Sequence, residues 1–139
     1  MTPQEPRTRS RRHAQGARGE DLAAEHLHAL GFTVLARDLR TRSAELDLVA
    51  KKRSLLVAVE VKTRALHVAP ERLVDAARVA RLEAALRELA PAIAPGTKQL
   101  RVDVIAVRWP DDLAPDARPE LLHLTGSPFP AQPKNAGRS

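Results

Sequence analysis

The 139-residue sequence contains no cysteine and no tyrosine, and its only aromatic side chains are Phe32, Trp109 and Phe129. Without cysteine, a disulfide scaffold and a thiolate-held zinc or iron–sulfur centre are excluded. Long apolar runs are missing too. The longest, Leu55 to Val59, falls far short of the roughly 20 residues that span a bilayer. The Arg-rich N-terminus lacks the apolar segment of an export signal. These absences predict a soluble, cytoplasmic chain with no membrane partner. The scarcity of aromatics excludes a further class, because single-strand binders stack bases on aromatic platforms worth ~1–3 kcal/mol per base. Three scattered rings build no such platform, so nucleic acid, if bound, is gripped by its backbone.

What the sequence does have is positive charge: 23 Lys and Arg against 17 Asp and Glu, a net +6. Much of the excess sits at one end, where Arg7, Arg9, Arg11, Arg12 and Arg18 face only Glu5. Such an arm fits phosphate attraction without sequence reading; it fits a solubilising tail equally well. The length predicts one domain with a real core.

Residues 1–15 have nothing apolar to bury and are predicted to be a disordered basic arm. From Ala17 to Leu30 the apolar residues Leu22, Ala23, Leu27 and Leu30 recur at helical spacing, with Gly31 at the stop. Phe32 to Ala36 reads as a short strand and 37–43 as a polar connection. Ala44 to Ala50 and Ser54 to Lys62 read as two strands around the turn Lys51-Lys52-Arg53. Glu71 to Ala90 is amphipathic and predicts a second helix, ended by Pro91 and Pro95. Leu100 to Val107 is another strand. Beyond Trp109 come Pro110, Pro115, Pro119, Pro128, Pro130 and Pro133, so 110–139 is predicted to be a mostly irregular Pro-rich tail with one docked piece at Leu121 to Leu124. The order of elements predicts an α/β fold, a mixed β-sheet flanked by helices, over residues 16–109.

Local rules break at a few acids. The strand from Leu55 is apolar on both faces yet ends in Glu60 and Lys62, which share one side. A buried charge needs a partner, a metal or a cleft. If Ala50 and Leu55 flank a four-residue loop, residue 49 pairs with 56, 47 with 58 and 45 with 60. Glu45, Asp47, Glu60 and Lys62 then lie on one face, with Asp47 diagonal to Glu60. Two carboxylates so placed can share a hard divalent cation, although Glu-x-Lys alone is more often an ordinary ion pair. Glu20 stands in line with the apolar stripe of the first helix. Arg101 and Asp103 alternate on the last strand and read as a structural pair. The histidines at 13, 26, 28, 67 and 123 form no i, i+4 pair, so a helical zinc site is unsupported.

Four segments carry a resemblance: Gly16-Ala17-Arg18-Gly19-Glu20 with Ala23, Ala44 to Val49, Val59 to Arg64, and Arg101 to Val104. Together they resemble the YraN family of bacterial proteins, assigned to the restriction-endonuclease-like superfamily that includes archaeal Holliday-junction resolvases. The resemblance covers roughly Gly16 to Val107. It implies a restriction-endonuclease-like core and a metal-dependent endonuclease acting on DNA, more readily than RNA, with Mg²⁺ or Mn²⁺ as cofactor and a homodimer as one assembly. On this chain's positions it implies Glu20, Asp47, Glu60 and Lys62 as catalytic residues. Asp47, Glu60, Glu20 and the backbone carbonyl of Val61 would hold the metal, with Lys62 orienting the attacking water. Arg11, Arg12, Arg18, Arg40, Arg64, Arg78 and Arg81 are the candidate nucleic-acid contacts. The family pattern carries Gly where Ala44 stands and Lys where Arg78 stands, and Arg78 cannot accept a proton. The same residues leave open a catalytically silent nucleic-acid-binding module, and, less favoured, an adaptor that binds protein through its Pro-rich tail.

Overall fold

The computed structural model describes residues 7–65, 75–109 and 118–132, with side chains described from residue 18 to 63 and over the two later segments. The chain runs α1 (Arg7–Ala29), β1 (Thr33–Arg40), β2 (Glu45–Lys52), β3 (Leu55–Ala65), α2 (Ala76–Ile93), β4 (Gln99–Trp109), β5 (Glu120–Leu124) and β6 (Phe129–Pro130). One sheet holds the strands in the order β1-β2-β3-β4-β5, with β6 also pairing β4. Only β3 and β4 are parallel, joined through α2. The predicted α/β architecture with a mixed sheet is therefore what forms, and it is consistent with a restriction-endonuclease-like core.

The unbroken apolar run in β3 has a simple cause. Leu56, Val57, Ala58 and Val59 are all at most 1% exposed because both faces of the strand are covered. Val57 and Val59 pack with Ala23 and Leu27 of α1, and with Leu48, Ile105 and Val107. Leu56 and Ala58 pack with Leu82, Ala85 and Leu86 of α2, and with Leu100 and Val102. The sheet is sandwiched between the two helices.

Helix α1 begins at Arg7 rather than Ala17, so residues 7–15, expected within a disordered arm, are helical. Arg, Gln and Ala favour helix intrinsically, but nothing before Ala17 needed burying, so no apolar stripe announced the first turns. The stop is as predicted. Gly31 has φ +94, its N–H donates to the His28 carbonyl at 2.9 Å, and the Phe32 N–H donates to the Leu27 carbonyl at 3.0 Å. This pair of hydrogen bonds around a left-handed glycine satisfies carbonyls of the last helical turn. Gly19 serves a different purpose, because a Cβ there would stand 2.7 Å from Thr63 Oγ1. Its absence lets α1 lie close against β3, one residue before Glu20.

Several element boundaries differ from those expected. The β2–β3 hairpin closes through two residues, with Lys52 opposite Leu55 and Arg53 at φ +56. The register is thus offset by two from the predicted pairing, Val49 lying opposite Ala58. Strand β1 continues to Arg40 through the segment predicted as a connection. It lies at the sheet edge, where exposed charges discourage strand addition, and those charges hid it from a strand pattern. Helix α2 starts after Asp75, whose carboxylate caps Ala77 N–H at 2.9 Å, and continues past Pro91 to Ile93. Residues 71–74, predicted as its first turn, lie outside the described residues, as do residues 1–6, 110–117 and 133–139 of the two terminal segments.

The predicted docked piece is β5, antiparallel to β4, and β6 was not foreseen. The fully buried Asp103 anchors this region. It accepts from Arg101 Nε and Nη2, each at 2.8 Å, and from Gly126 N at 3.0 Å. His123 Nε2 donates to it at 2.8 Å, and His26 Nε2 meets His123 Nδ1 at 3.0 Å, tying α1 to β5. A buried carboxylate with all its partners is tolerable, whereas removing one side of such a pair costs about 3–5 kcal/mol. Asp103→Ala is expected to lose stability in that range. The double variant Arg101→Ala/Asp103→Ala should lose less than the sum of the two single variants, as measured by urea denaturation.

Candidate active site

The site forms where the β2–β3 ladder ends. The last paired residues are Leu48 and Val59. Beyond them, the Val61 N–H donates to Asp47 Oδ2 at 2.8 Å, so a side chain takes a hydrogen bond that a strand carbonyl would otherwise accept. Alternation breaks at the same place. Leu48 packs with the α1-side cluster and Leu46, two residues away, with the α2-side cluster. The predicted single face for Glu45, Asp47, Glu60 and Lys62 is therefore distorted, with Asp47 within electrostatic reach of both Glu60 and Glu20. Asp47 meets Glu20 of α1, Glu60 meets both Lys62 and, from α2, Arg78, and Glu45 pairs with Arg40 at 3.2 Å. The parity argument assumed a regular pleat, and the pleat is interrupted at Asp47.

Glu20, Asp38 and Asp47 offer carboxylate oxygens that all lie within 4.8 Å of one another. Asp38 was not anticipated. It stands on β1 between the pairs Arg37–Leu48 and Leu39–Leu46, alongside Asp47 on the neighbouring strand. Its φ is +50, a left-handed conformation that Asp adopts more readily than most residues. The only sequence signal was an Asp inside a segment too polar to read as a strand.

Glu20 and Asp47 are both shifted by this setting. Burial, then the charges of Asp38 and Asp47 and a hydrogen bond with Asp38, push the Glu20 carboxyl from 4.5 to about 7, against Arg37. Burial pushes Asp47 from 3.8 to about 6; the Val61 N–H and Arg78 oppose this, and the charges of Glu60 and Asp38 add to it.

Glu60 is placed otherwise. It is 4% exposed, and burial alone would raise its pKa. Two cations outweigh that and hold it below the usual carboxylate range. Arg78 donates from Nε to Oε2 and from Nη2 to Oε1, both at 3.2 Å, and Lys62 Nζ lies 3.1 Å from Oε2. Of the predicted metal set, the structure thus gathers Glu20 and Asp47, adds Asp38, and sets Glu60 beside them in ion pairs. Val61 meets Asp47 through its N–H.

Among the predicted nucleic-acid contacts, Arg40 and Arg81 are exposed and Arg18 lies over the Trp109 ring at 4.9 Å. Arg78 is engaged with Glu60. The side chains of Arg11, Arg12 and Arg64 lie outside the described residues. Sequence reasoning missed Arg37, which pairs with Asp21 at 2.6 Å and is near enough to Glu20 to oppose its upward shift.

The raised carboxyls have a thermodynamic consequence. A carboxyl that ionises less readily when folded binds more protons in the folded state, so stability falls as pH rises between its ordinary and raised values. The windows are 4.5 to about 7 for Glu20 and 3.8 to about 6 for Asp47. In metal-free buffer the urea midpoint is expected to decline across this range. Glu20→Gln should flatten the decline and gain about 1 kcal/mol above neutrality, solvent screening included. An identical decline in Glu20→Gln would contradict the clustering.

In sequence, residues 19–107 match the profile described as Uncharacterised protein family UPF0102. A UPF0102 protein of Mycobacterium sp. (strain KMS) is 40% identical over 131 residues, covering 87% of this chain and 90% of the relative. One from Leifsonia xyli subsp. xyli is 37% identical over 115 residues, or 80% and 92% of the two chains. One from Acidothermus cellulolyticus is 58% identical over a shorter stretch of 57 residues, 41% of this chain and 43% of the relative. The matched region takes in Glu20, Asp38, Asp47, Glu60, Lys62 and Arg78 alike. The chain belongs to the uncharacterised protein family UPF0102, the YraN family that its sequence segments resemble.

Proposed function

We propose that this protein is a metal-dependent endonuclease that hydrolyses phosphodiester bonds in DNA, branched repair or recombination intermediates included. The observation that carries the reading is the convergence of the Glu20, Asp38 and Asp47 carboxylates within 4.8 Å. Three oxygen donors without nitrogen or sulfur suit a hard divalent ion such as Mg²⁺ or Mn²⁺. The upward shifts of Glu20 and Asp47 are consistent with this: burial and neighbouring acids outweigh Arg37 and Arg78, and a bound cation would offset them.

Glu20, Asp38 and Asp47 would hold the ion. When bound, it supplies charge neutralisation at a phosphoryl oxygen and a more acidic water. The Val61 N–H fixes the orientation of the Asp47 carboxylate. Lys62, whose side chain is 27% exposed, is anchored at Glu60 with donors to spare for a phosphate or an attacking water. Arg37 and Arg40 flank Asp38 on the exposed edge strand and offer contacts to the backbone of the same strand of DNA.

One observation favours a second reading. Arg78 already neutralises Glu60, as it would in a silent module that only binds nucleic acid. The two readings separate on purified full-length chain incubated with supercoiled plasmid and a four-way junction, with Mg²⁺, Mn²⁺ or chelator. The nuclease reading expects metal-dependent cleavage. Asp47→Asn and Asp38→Asn should each lower it by at least the ~10–100-fold that losing even an outer partner of a metal site costs, while salt-sensitive binding persists. Binding without cleavage by the wild type under every condition establishes the silent module instead.

A further inference from the structure

Two Arg–carboxylate forks share this sheet, and they differ. Arg101 holds the fully buried Asp103 with both contacts at 2.8 Å, within the ~2.7–2.9 Å usual for charge-assisted bonds. Arg78 holds Glu60 with both contacts at 3.2 Å, and its side chain is 34% exposed. The first pair is closed and the second is loose and reachable from solvent. The position of Arg78 adds an independent oddity. It is the third residue of α2, after the cap at Asp75, where the helix dipole favours acids and disfavours a cation. Nothing in the stability of α2 calls for an arginine there, and its surroundings do: Glu60, Asp47 and Glu45 all act on it electrostatically.

We infer that Arg78 is an exchangeable counter-ion, neutralising Glu60 in the free protein and passing to a phosphate of bound DNA, so that Glu60 becomes available beside Asp47. This rests on the endonuclease reading and deepens it: cation and nucleic acid then strengthen each other's binding at one site. A phosphodiester offers the guanidinium fork two non-bridging oxygens that share a full negative charge and that it can grip bidentately. Lys62, 3.1 Å from Glu60, remains to share the carboxylate once Arg78 has left. The protein thereby keeps the cation cluster incomplete until a strand is in place.

The test is Mn²⁺ binding, followed by electron paramagnetic resonance of the free ion, with and without a phosphorothioate-substituted DNA duplex. In the wild type the duplex is expected to tighten Mn²⁺ about tenfold, within the range usual for coupled sites. Arg78→Gln should gain about as much Mn²⁺ affinity without any duplex and respond little to its addition. Glu60→Gln should bind Mn²⁺ through the other carboxylates yet lose the duplex effect. In Arg78→Gln/Glu60→Gln the gain should vanish, which separates exchange at Glu60 from mere removal of a positive charge. Arg78→Lys keeps the charge but not the fork, and is expected to fall between wild type and Arg78→Gln; thermal melting confirms which variants are folded. Equal Mn²⁺ affinity and equal duplex response in wild type and the Arg78 variants would overturn the exchange while leaving the metal site standing. No Mn²⁺ binding by the wild type with or without duplex would overturn the endonuclease reading itself, and the exchange with it.

Discussion

A single hydrogen bond, from the Val61 N–H to Asp47 Oδ2 at 2.8 Å, governs how the carboxylates are arranged. Backbone donors inside a sheet must find acceptors, and here the acceptor is a side chain. That substitution lets β2 leave its regular pairing with β3, so that Leu46 and Leu48 bury against opposite helices. Asp47 is carried towards Glu20 and Asp38 while staying close enough to Glu60 and Arg78 to feel their charges. Were the ladder continued by a β2 carbonyl, the pleat would resume and Asp47 would turn to the other face. The acidic cluster is thus a consequence of where strand pairing stops.

Such a cluster opposes its own formation. Glu20 and Asp47 both ionise less readily than in water, and Asp38 is held at φ +50. Strain of this kind persists only where the surroundings over-determine it. Here the surroundings are β3, apolar on both faces, and α1, brought against it at Gly19, where a side chain would meet Thr63. Helix α1 is closed by the left-handed Gly31 and tied through His26 and His123 to Asp103. Residues far from the site therefore fix the height at which Glu20 is delivered. The same apolar strand that fills the core carries Glu60 and Lys62 at its end, so core and site share one element.

Much of this was legible in the sequence, and what was not has a common origin. The apolar run from Leu55, the glycine stop at Gly31 and the Arg101–Asp103 pairing each follow from a local rule, and each holds in the structure. Even the wrong hairpin register preserved its parity, because it was offset by two residues. Parity nevertheless missed the meeting of Asp47 with Glu20 and Asp38, since no pattern of residue types reveals where a pleat breaks. Asp38 escaped for a related reason: an edge strand carrying Arg37, Asp38 and Arg40 has no alternation to detect. The early turns of α1 lacked an apolar stripe, and the cap at Asp75 was overlooked beneath a broader amphipathic pattern. Periodicity reports burial, and the residues it missed are those that burial does not explain.

The two arginine forks show how one sheet separates structure from chemistry by geometry alone. Around Asp103 every acceptor site is filled, by Arg101, His123 and Gly126, and the group is out of solvent's reach. Such a pair confers specificity on the fold and has nothing left to offer a ligand. Around Glu60 the partners are longer in contact, partly exposed and drawn from two different elements, β3 and α2. A buried carboxylate in that condition is satisfied but not committed, because water and other anions can compete for Arg78 and Lys62. Net positive charge elsewhere on the chain would not distinguish the two. What distinguishes them is that the Glu60 pair lies beside acids whose ionisation is already suppressed, so there moving a cation changes the balance of a whole cluster.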